Sequence, residues 1–283
     1  MRNGFEIWDA HCHVYPEKIA ARAVAGTDAF YSTVAAGRGT IPDLIAAGTA
    51  CGVDKFVVQS VATTPKQVAS INRFIAEAVA AAPEQLIGLG TIHPAAEDIA
   101  ADVRDLAALG LHGIKIHPDI QGYRIDDPLF FPAYALCEKL DLPILMHTGD
   151  SRYDYSNPNR LLPVLQKFPH LRVVGAHFGG WSIWEEAAEK LAGIPNLWVD
   201  CSSTMPFMKG GNKKERVENL IRKYGVDRVL FGTDYPMWSH KQELDFFFEL
   251  DLTDEDRRAI LSENAKKVYG SPKKVLKKKE SVI

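Results

Sequence analysis

Eight short apolar runs, rich in β-branched and aromatic residues, alternate along the chain with segments of helical periodicity. They begin at Phe5, Lys55, Leu86, His112, Pro143, Leu171, Asn196 and Asp227. Strands separated by helices pair in parallel, because a crossover long enough to hold a helix returns the chain in the same direction. Eight such units within 283 residues predict an α/β fold, a closed (β/α)₈ TIM barrel forming a single domain over 1–283. An open doubly wound sheet fits less well, since no G-x-G-x-x-G follows the first run.

The helices between the runs carry their own start and stop signals. Thr40 with Pro42 opens one that Gly52 ends, and Thr64 with Pro65 opens a longer one that Pro83 stops. Further helices are predicted over about 97–109, 126–140, 159–168, 183–191, 215–224, 241–249 and 254–268. Residues 17–39, rich in Ala and Gly, read as an irregular loop insertion after the first strand, placed to form a pocket wall or lid.

A net charge of -3 argues against a nucleic-acid partner, which requires a basic face. The one basic run, Lys273 to Lys279, falls in a C-terminal tail of about 271–283 and reads as solvated and frayed. Cys12, Cys51, Cys137 and Cys201 show no paired spacing, which fits a reducing compartment. No stretch of 18 consecutive apolar residues is present, so no membrane partner is expected and the cytoplasm is the expected location. The exposed helices of a barrel leave a homodimer open.

His11 and His13 stand two apart at the end of the first run, so strand alternation turns both imidazoles to one side. Two converging imidazoles make half of a divalent-cation site. In a barrel of this kind the chemistry sits at the C-terminal strand ends. Those ends also hold Lys115 and His117, His147, His177 and Asp234. A single histidine at such a position is commonly a hydrogen-bonded core residue; a whole set at one rim points to a site. Tyr123, Arg152, Trp181, Tyr235 and Trp238, in the loops after the strands, are candidate pocket groups. Arg152 is suited to a substrate carboxylate or simply to the surface; the two tryptophans are suited to a pocket wall or to covering a helix.

The runs W-D-A-H-C-H, G-I-K-I-H-P, M-H-T-G, A-H-F-G-G and F-G-T-D-Y-P, with the closing S-E-N-A-K-K-V-Y-G, resemble the amidohydrolase superfamily. The detail is similar to its amidohydrolase-2 branch, which includes enzymes of the aminocarboxymuconate-semialdehyde decarboxylase type. That resemblance covers residues 5–270. It implies one divalent metal, zinc first and manganese as the alternative, on His11, His13, His147 and Asp234. It implies that His177 stays off the metal and orients or polarises water or substrate, and that Asp234 doubles as general base. Binuclear relatives carry a carboxylated lysine on the fourth strand, a role open to Lys115. A single metal is expected here, with Lys115 and His117 contacting a small-molecule substrate.

The leading expectation is a metal-dependent hydrolase in which activated water attacks an amide, ester or lactone carbonyl. The first alternative is non-oxidative decarboxylation of a small aromatic or unsaturated carboxylic acid, with a hydratase as a further enzymatic option. A non-catalytic barrel that keeps metal only for structure is the remaining class.

Overall fold

The computed structural model describes residues 1–270, so the run from Lys273 to Lys279 lies outside the described residues. The strands are β1 (Trp8–His13), β2 (Lys55–Gln59), β3 (Leu86–Gly88), β4 (Gly90–Thr91), β5 (Ile114–Ile116), β6 (Ile144–Met146), β7 (Val173–Gly175), β8 (Leu197–Asp200) and β9 (Val229–Leu230). All pair in parallel and in chain order, β1 to β3 in one group and β4 to β9 in the other.

Two seams join these groups into the ring of a TIM barrel. At the first, β3 and β4 are halves of the single apolar run from Leu86, broken at Leu89. Leu89 N–H still donates to Val58 O on one side, and Gly90 N–H donates to Gly113 O on the other. At the second, Ala10 N–H donates to Phe231 O, Asp234 N–H to His11 O, and His13 N–H to Tyr235 O. That last seam sets residues from the two ends of the chain side by side.

The helices are α1 (Glu17–Tyr31), α2 (Ile41–Ala50), α3 (Val68–Ala81), α4 (Ile99–Ala108), α5 (Pro118–Gln121), α6 (Phe131–Leu140), α7 (Pro158–Lys167), α8 (Trp184–Leu191), α9 (Lys213–Tyr224), α10 (His240–Glu249), α11 (Asp254–Arg258) and α12 (Asn264–Tyr269). Side-chain caps fix several starts: Thr40 accepts from Asp43 N–H, Asp98 from Ala101 N–H and Asn212 from Glu215 N–H. Along the strands, inward residues such as Ala10, Val57, Leu145, Val174 and Leu230 pack with Val268 and Tyr269 of α12. The alternate residues, among them Phe56, Ile114, Ile144 and Val173, pack in the larger core shared with the helices.

The loop expected over 17–39 is corrected: its first part is α1, fifteen residues long. The alanine-rich sequence has high intrinsic helix propensity and no internal proline, and it needs to bury only Ala20 and Val24. Such a helix shows little apolar periodicity, and that is why a reading of period alone passes over it. It ends at Ser32, which takes a left-handed conformation and donates its N–H to Asp28 O. The short α5 was also unforeseen; the His117 side chain caps it.

At the broken third strand, buried Asn72 of α3 accepts from Thr91 N–H at 2.7 Å and donates to Thr91 O at 3.1 Å. Replacing Asn72 with Leu leaves both backbone groups buried and unpaired. The substitution is expected to destabilise the barrel by about 2–4 kcal/mol, read as a lower midpoint in urea unfolding with an unchanged slope.

Candidate metal centre and active site

His11 and His13 leave the end of β1 toward the barrel mouth, while Cys12 between them is fully buried in the apolar core. His11 Nε2 and His13 Nε2 lie 3.2 Å apart. Asp234, in the turn after β9, brings Oδ1 to 3.2 Å from the first and 3.5 Å from the second. Three donors bound at about 2.1 Å to one tetrahedral ion stand about 3.4 Å from each other. The donor separations here therefore suit a single divalent cation.

The surroundings hold the rings in the ligating form. His11 Nδ1–H donates to Asp200 Oδ2 at 3.0 Å, which leaves Nε2 as a lone pair. Burial, reinforced by the Lys115 ammonium, keeps His11 and His13 well below the usual imidazole pKa, so both stay neutral. Asp200 Oδ1 also accepts from the backbone N–H groups of His177 and Ser202. Buried Asp9 accepts from His11 N–H and from both Thr233 N–H and its hydroxyl, and it faces His240 Nε2 at 3.1 Å. Asp9 thus pins β1 to the turn that carries Asp234, while Asp200 ties His11 to the segment that carries His177. Ser203 donates to Asp234 Oδ2 at 2.6 Å and receives a hydrogen bond from Trp238 Nε1 at 2.7 Å.

Lys115, on β5, is fully buried, with Nζ 3.0 Å from His11 Nε2. Burial pulls its pKa down, against the attraction of Asp234 and Asp200. Burial likewise pushes the Asp234 carboxyl up, against the Lys115 ammonium. His177 and Asp234 both hold left-handed backbone, with φ of 59° and 62°. Neither is glycine, so this local strain falls on the residues that carry chemistry.

His147, expected as a fourth ligand, stands outside the His11–His13–Asp234 group. Its Nδ1 lies 3.1 Å from His177 Nε2, and its Nε2 lies 3.6 Å from Asp119 Oδ2. His177 Nδ1–H donates to Ser202 O at 3.0 Å, so its Nε2 is the acceptor for His147. Burial holds His177 down at about 4 and raises Asp119 to about 7. His117 stacks on His147 with centroids 3.9 Å apart. Its Nδ1 accepts from Ile120 N–H, so its Nε2–H points at the Tyr31 hydroxyl 2.7 Å away.

Tyr31, Asp200, Ser202, Ser203 and Asp119 are site residues that the sequence reading missed. Asp200 ends the strand-like run from Asn196, and its place at the rim was the available signal. Tyr31 gave none, since it lies at the end of the unrecognised helix.

One cavity of about 490 Å³ opens onto this cluster. His11, His13, Lys115, His117, His147 and Asp234 are among its lining residues, together with His177. Its remaining walls come from one face of α1, from Ile71 and Phe74 of α3, and from Met237.

Three of the secondary candidates, Arg152, Tyr235 and Tyr123, lie outside the cavity. Arg152 binds Asp150 through Nε and Nη2 and the Phe30 carbonyl through Nη1, and it stacks on Phe30, Tyr31 and Trp181. It fastens the end of α1 to the loop after β6, and a guanidinium so engaged is not offered to the cavity. Tyr235 is buried and donates to Asp43, and Tyr123 packs edge-on against His93. Trp181 and Trp238 line a much smaller adjoining recess with His147, His177 and Asp234.

The family model described as amidohydrolase matches residues 8–271. The chain belongs to that family. The 2-amino-3-carboxymuconate-6-semialdehyde decarboxylase of Dictyostelium discoideum is 27% identical over 190 residues, 53% of this chain. The match takes in 51% of that enzyme, so this amidohydrolase chain spans about half the length of the relative. An uncharacterised TIM-barrel protein from Bordetella bronchiseptica superposes with a TM-score of 0.77 at 22% identity, covering 94% of this chain and 99% of that one. A 5-carboxyvanillate decarboxylase from Novosphingobium aromaticivorans, solved with manganese and 4-hydroxy-3-methoxy-5-nitrobenzoic acid, gives 0.72 at 16% identity, covering 95% and 97%. At such identities these two structures share the fold. Among the described residues, no helix is long and apolar enough to cross a membrane.

Asp200 makes a direct test of the centre. Asp200→Asn removes the carboxylate that fixes His11 Nδ1–H and is expected to weaken divalent-metal affinity about 10- to 100-fold in calorimetric titration. The far-ultraviolet circular dichroism is expected to stay at the wild-type level.

Proposed function

We propose that the chain catalyses metal-dependent, non-oxidative decarboxylation of a small unsaturated or aromatic carboxylic acid. The observation that carries this reading is the division of the cavity. Cation-holding and acidic groups gather at one end, while Ile71, Phe74, Phe30 and Ile120 supply an apolar wall for the body of the substrate. The Dictyostelium relative is a decarboxylase, which supports the same reaction type here. The leading expectation from sequence was hydrolysis; that reading now takes second place.

A divalent cation held by His11, His13 and Asp234 supplies Lewis acidity that neutralises carboxylate charge. Lys115, buried and cationic beside that centre, attracts the same carboxylate and orients it. The bond between the carboxylate carbon and its unsaturated neighbour breaks, and the electron pair stays on the neighbour as CO₂ leaves. Asp234 would pass to that neighbouring carbon the proton that replaces CO₂. His177, whose Nε2 accepts from His147, would hold that neighbouring ring in place at the reacting end of the cavity.

A second arrangement at the same place has its own support. His147 Nδ1 and His177 Nε2 face each other at 3.1 Å, and Lys115 depresses both rings as well as His11. A carboxylated Lys115 there would bridge two metals. Metal analysis separates the cases: one ion per chain for the first, two for the second. Which metal is resident, and whether the chain forms a homodimer, follow from the same purified protein.

The metal-loaded enzyme, given a panel of unsaturated and aromatic acids beside lactones and amides, is expected to release CO₂ from acids. Turnover of lactones or amides without CO₂ release would restore hydrolysis. Treatment with a chelator is expected to abolish turnover with little change in circular dichroism; loss of the fold along with the metal would favour a structural ion instead. Asp234→Asn is expected to lower kcat by at least about a hundredfold in a barrel that remains folded.

A further inference from the structure

Helix α1 turns a whole face to the cavity. Ile19, Arg22, Ala23, Gly26, Thr27 and Phe30 line it at spacings of three and four, and Tyr31 follows at the catalytic end. Tyr31 meets His117 and lies beside His147. Arg22, nine positions earlier, stands about 13 Å back along the axis at roughly 1.5 Å per residue. The cavity thus follows the helix away from the metal centre, and about 490 Å³ exceeds what a single ring fills.

Two residues on this face lack any structural reason to be there. Gly26 sits inside the helix, where glycine is less stable than alanine. Its backbone is not left-handed, and a Cβ added to it meets nothing within 4 Å. Neither a turn nor a close approach requires it; what it leaves is open space. Arg22 is exposed and makes no ion pair or hydrogen bond among the described residues. Other arginines of this region, Arg38 and Arg152, are held by Asp43 and Asp150. Near the outer end of the same face, Ile19 leaves 39% of its surface exposed.

We propose that the substrate is an extended acid lying lengthwise along α1. Its reacting carboxylate sits at the metal centre, its apolar body passes Gly26, and a second anionic group at the far end pairs with Arg22. An uncommitted guanidinium at a cavity wall suits bidentate capture of a carboxylate or similar anion. The inference rests on the carboxylic-acid reading above and narrows it to acids longer than one ring, charged at both ends.

Three probe acids test it by titration into manganese-loaded protein: benzoate, biphenyl-4-carboxylate and biphenyl-4,4′-dicarboxylate. With the wild type, the diacid is expected to bind about tenfold or more tightly than the biphenyl monoacid. Arg22→Ala is expected to erase that advantage, and Arg22→Lys to restore part of it. Gly26→Leu, which fills the space with a side chain, is expected to weaken both biphenyl acids about tenfold relative to benzoate. Circular dichroism confirms that each variant is folded. If the diacid has no advantage, keeps it without Arg22, or binds the Gly26→Leu variant unhindered, the lengthwise placement is wrong. Metal-dependent benzoate binding would then still support the acid site. If none of the three acids binds the loaded protein, the placement and the carboxylic-acid reading fall together.

Discussion

Two imidazole nitrogens and a carboxylate oxygen, drawn from opposite ends of the chain, face one another across 3.2–3.5 Å. That spacing matches the ligand separations around one divalent cation, and Lys115 Nζ stands 3.0 Å from His11 Nε2. The arrangement is maintained because the seam between β1 and the segment after β9 is stitched by backbone hydrogen bonds on both sides of the ligands. Asp9, fully buried, tightens the same seam through Thr233, and fully buried Asp200 fixes His11 from the other side. A cation bound by these donors would join the two segments of that seam, which would couple folding to metal binding.

The second constraint is α1. It crosses the mouth of the barrel and is fixed at its C-terminal end by Arg152, which reaches the Phe30 carbonyl while Asp150 holds the other side of the guanidinium. This clamp sets Tyr31 against His117, and the tautomer of His117 is in turn set by Ile120 N–H. A chain of hydrogen bonds then leads from α5 through Tyr31 to the rings of His147 and His177. The helix is therefore both wall and reference surface: its deep end touches the polar cluster, and its outer face bounds the space beyond.

The barrel was legible because each strand announces itself as a buried apolar run and each helix as a capped, periodic segment. The rim histidines and Asp234 were legible for a related reason, since strand number and strand end fix where a residue must lie once the ring closes. Alternation along β1 even separated Cys12, which packs in the core, from its neighbours. What sequence did not yield was contact between loops. Arg152 looked available, yet its near neighbour Asp150 and the distant Phe30 carbonyl both hold it. Helix α1 was hidden by its alanines, which form a helix without marking which side is buried. Asp200 and Ser202 were hidden because their partners, His11 and His177, meet them only across strands. His147 lies at the rim as its strand position implies, with its Nδ1 3.1 Å from His177 Nε2 beside the three-donor group.

Everything above depends on one cation seated among His11, His13 and Asp234. A crystal grown with manganese, measured for anomalous scattering, examines that directly. The account predicts a strong peak within about 2.0–2.3 Å of His11 Nε2, His13 Nε2 and an Asp234 carboxylate oxygen. A map with no peak among those three groups, at saturating manganese, would contradict it.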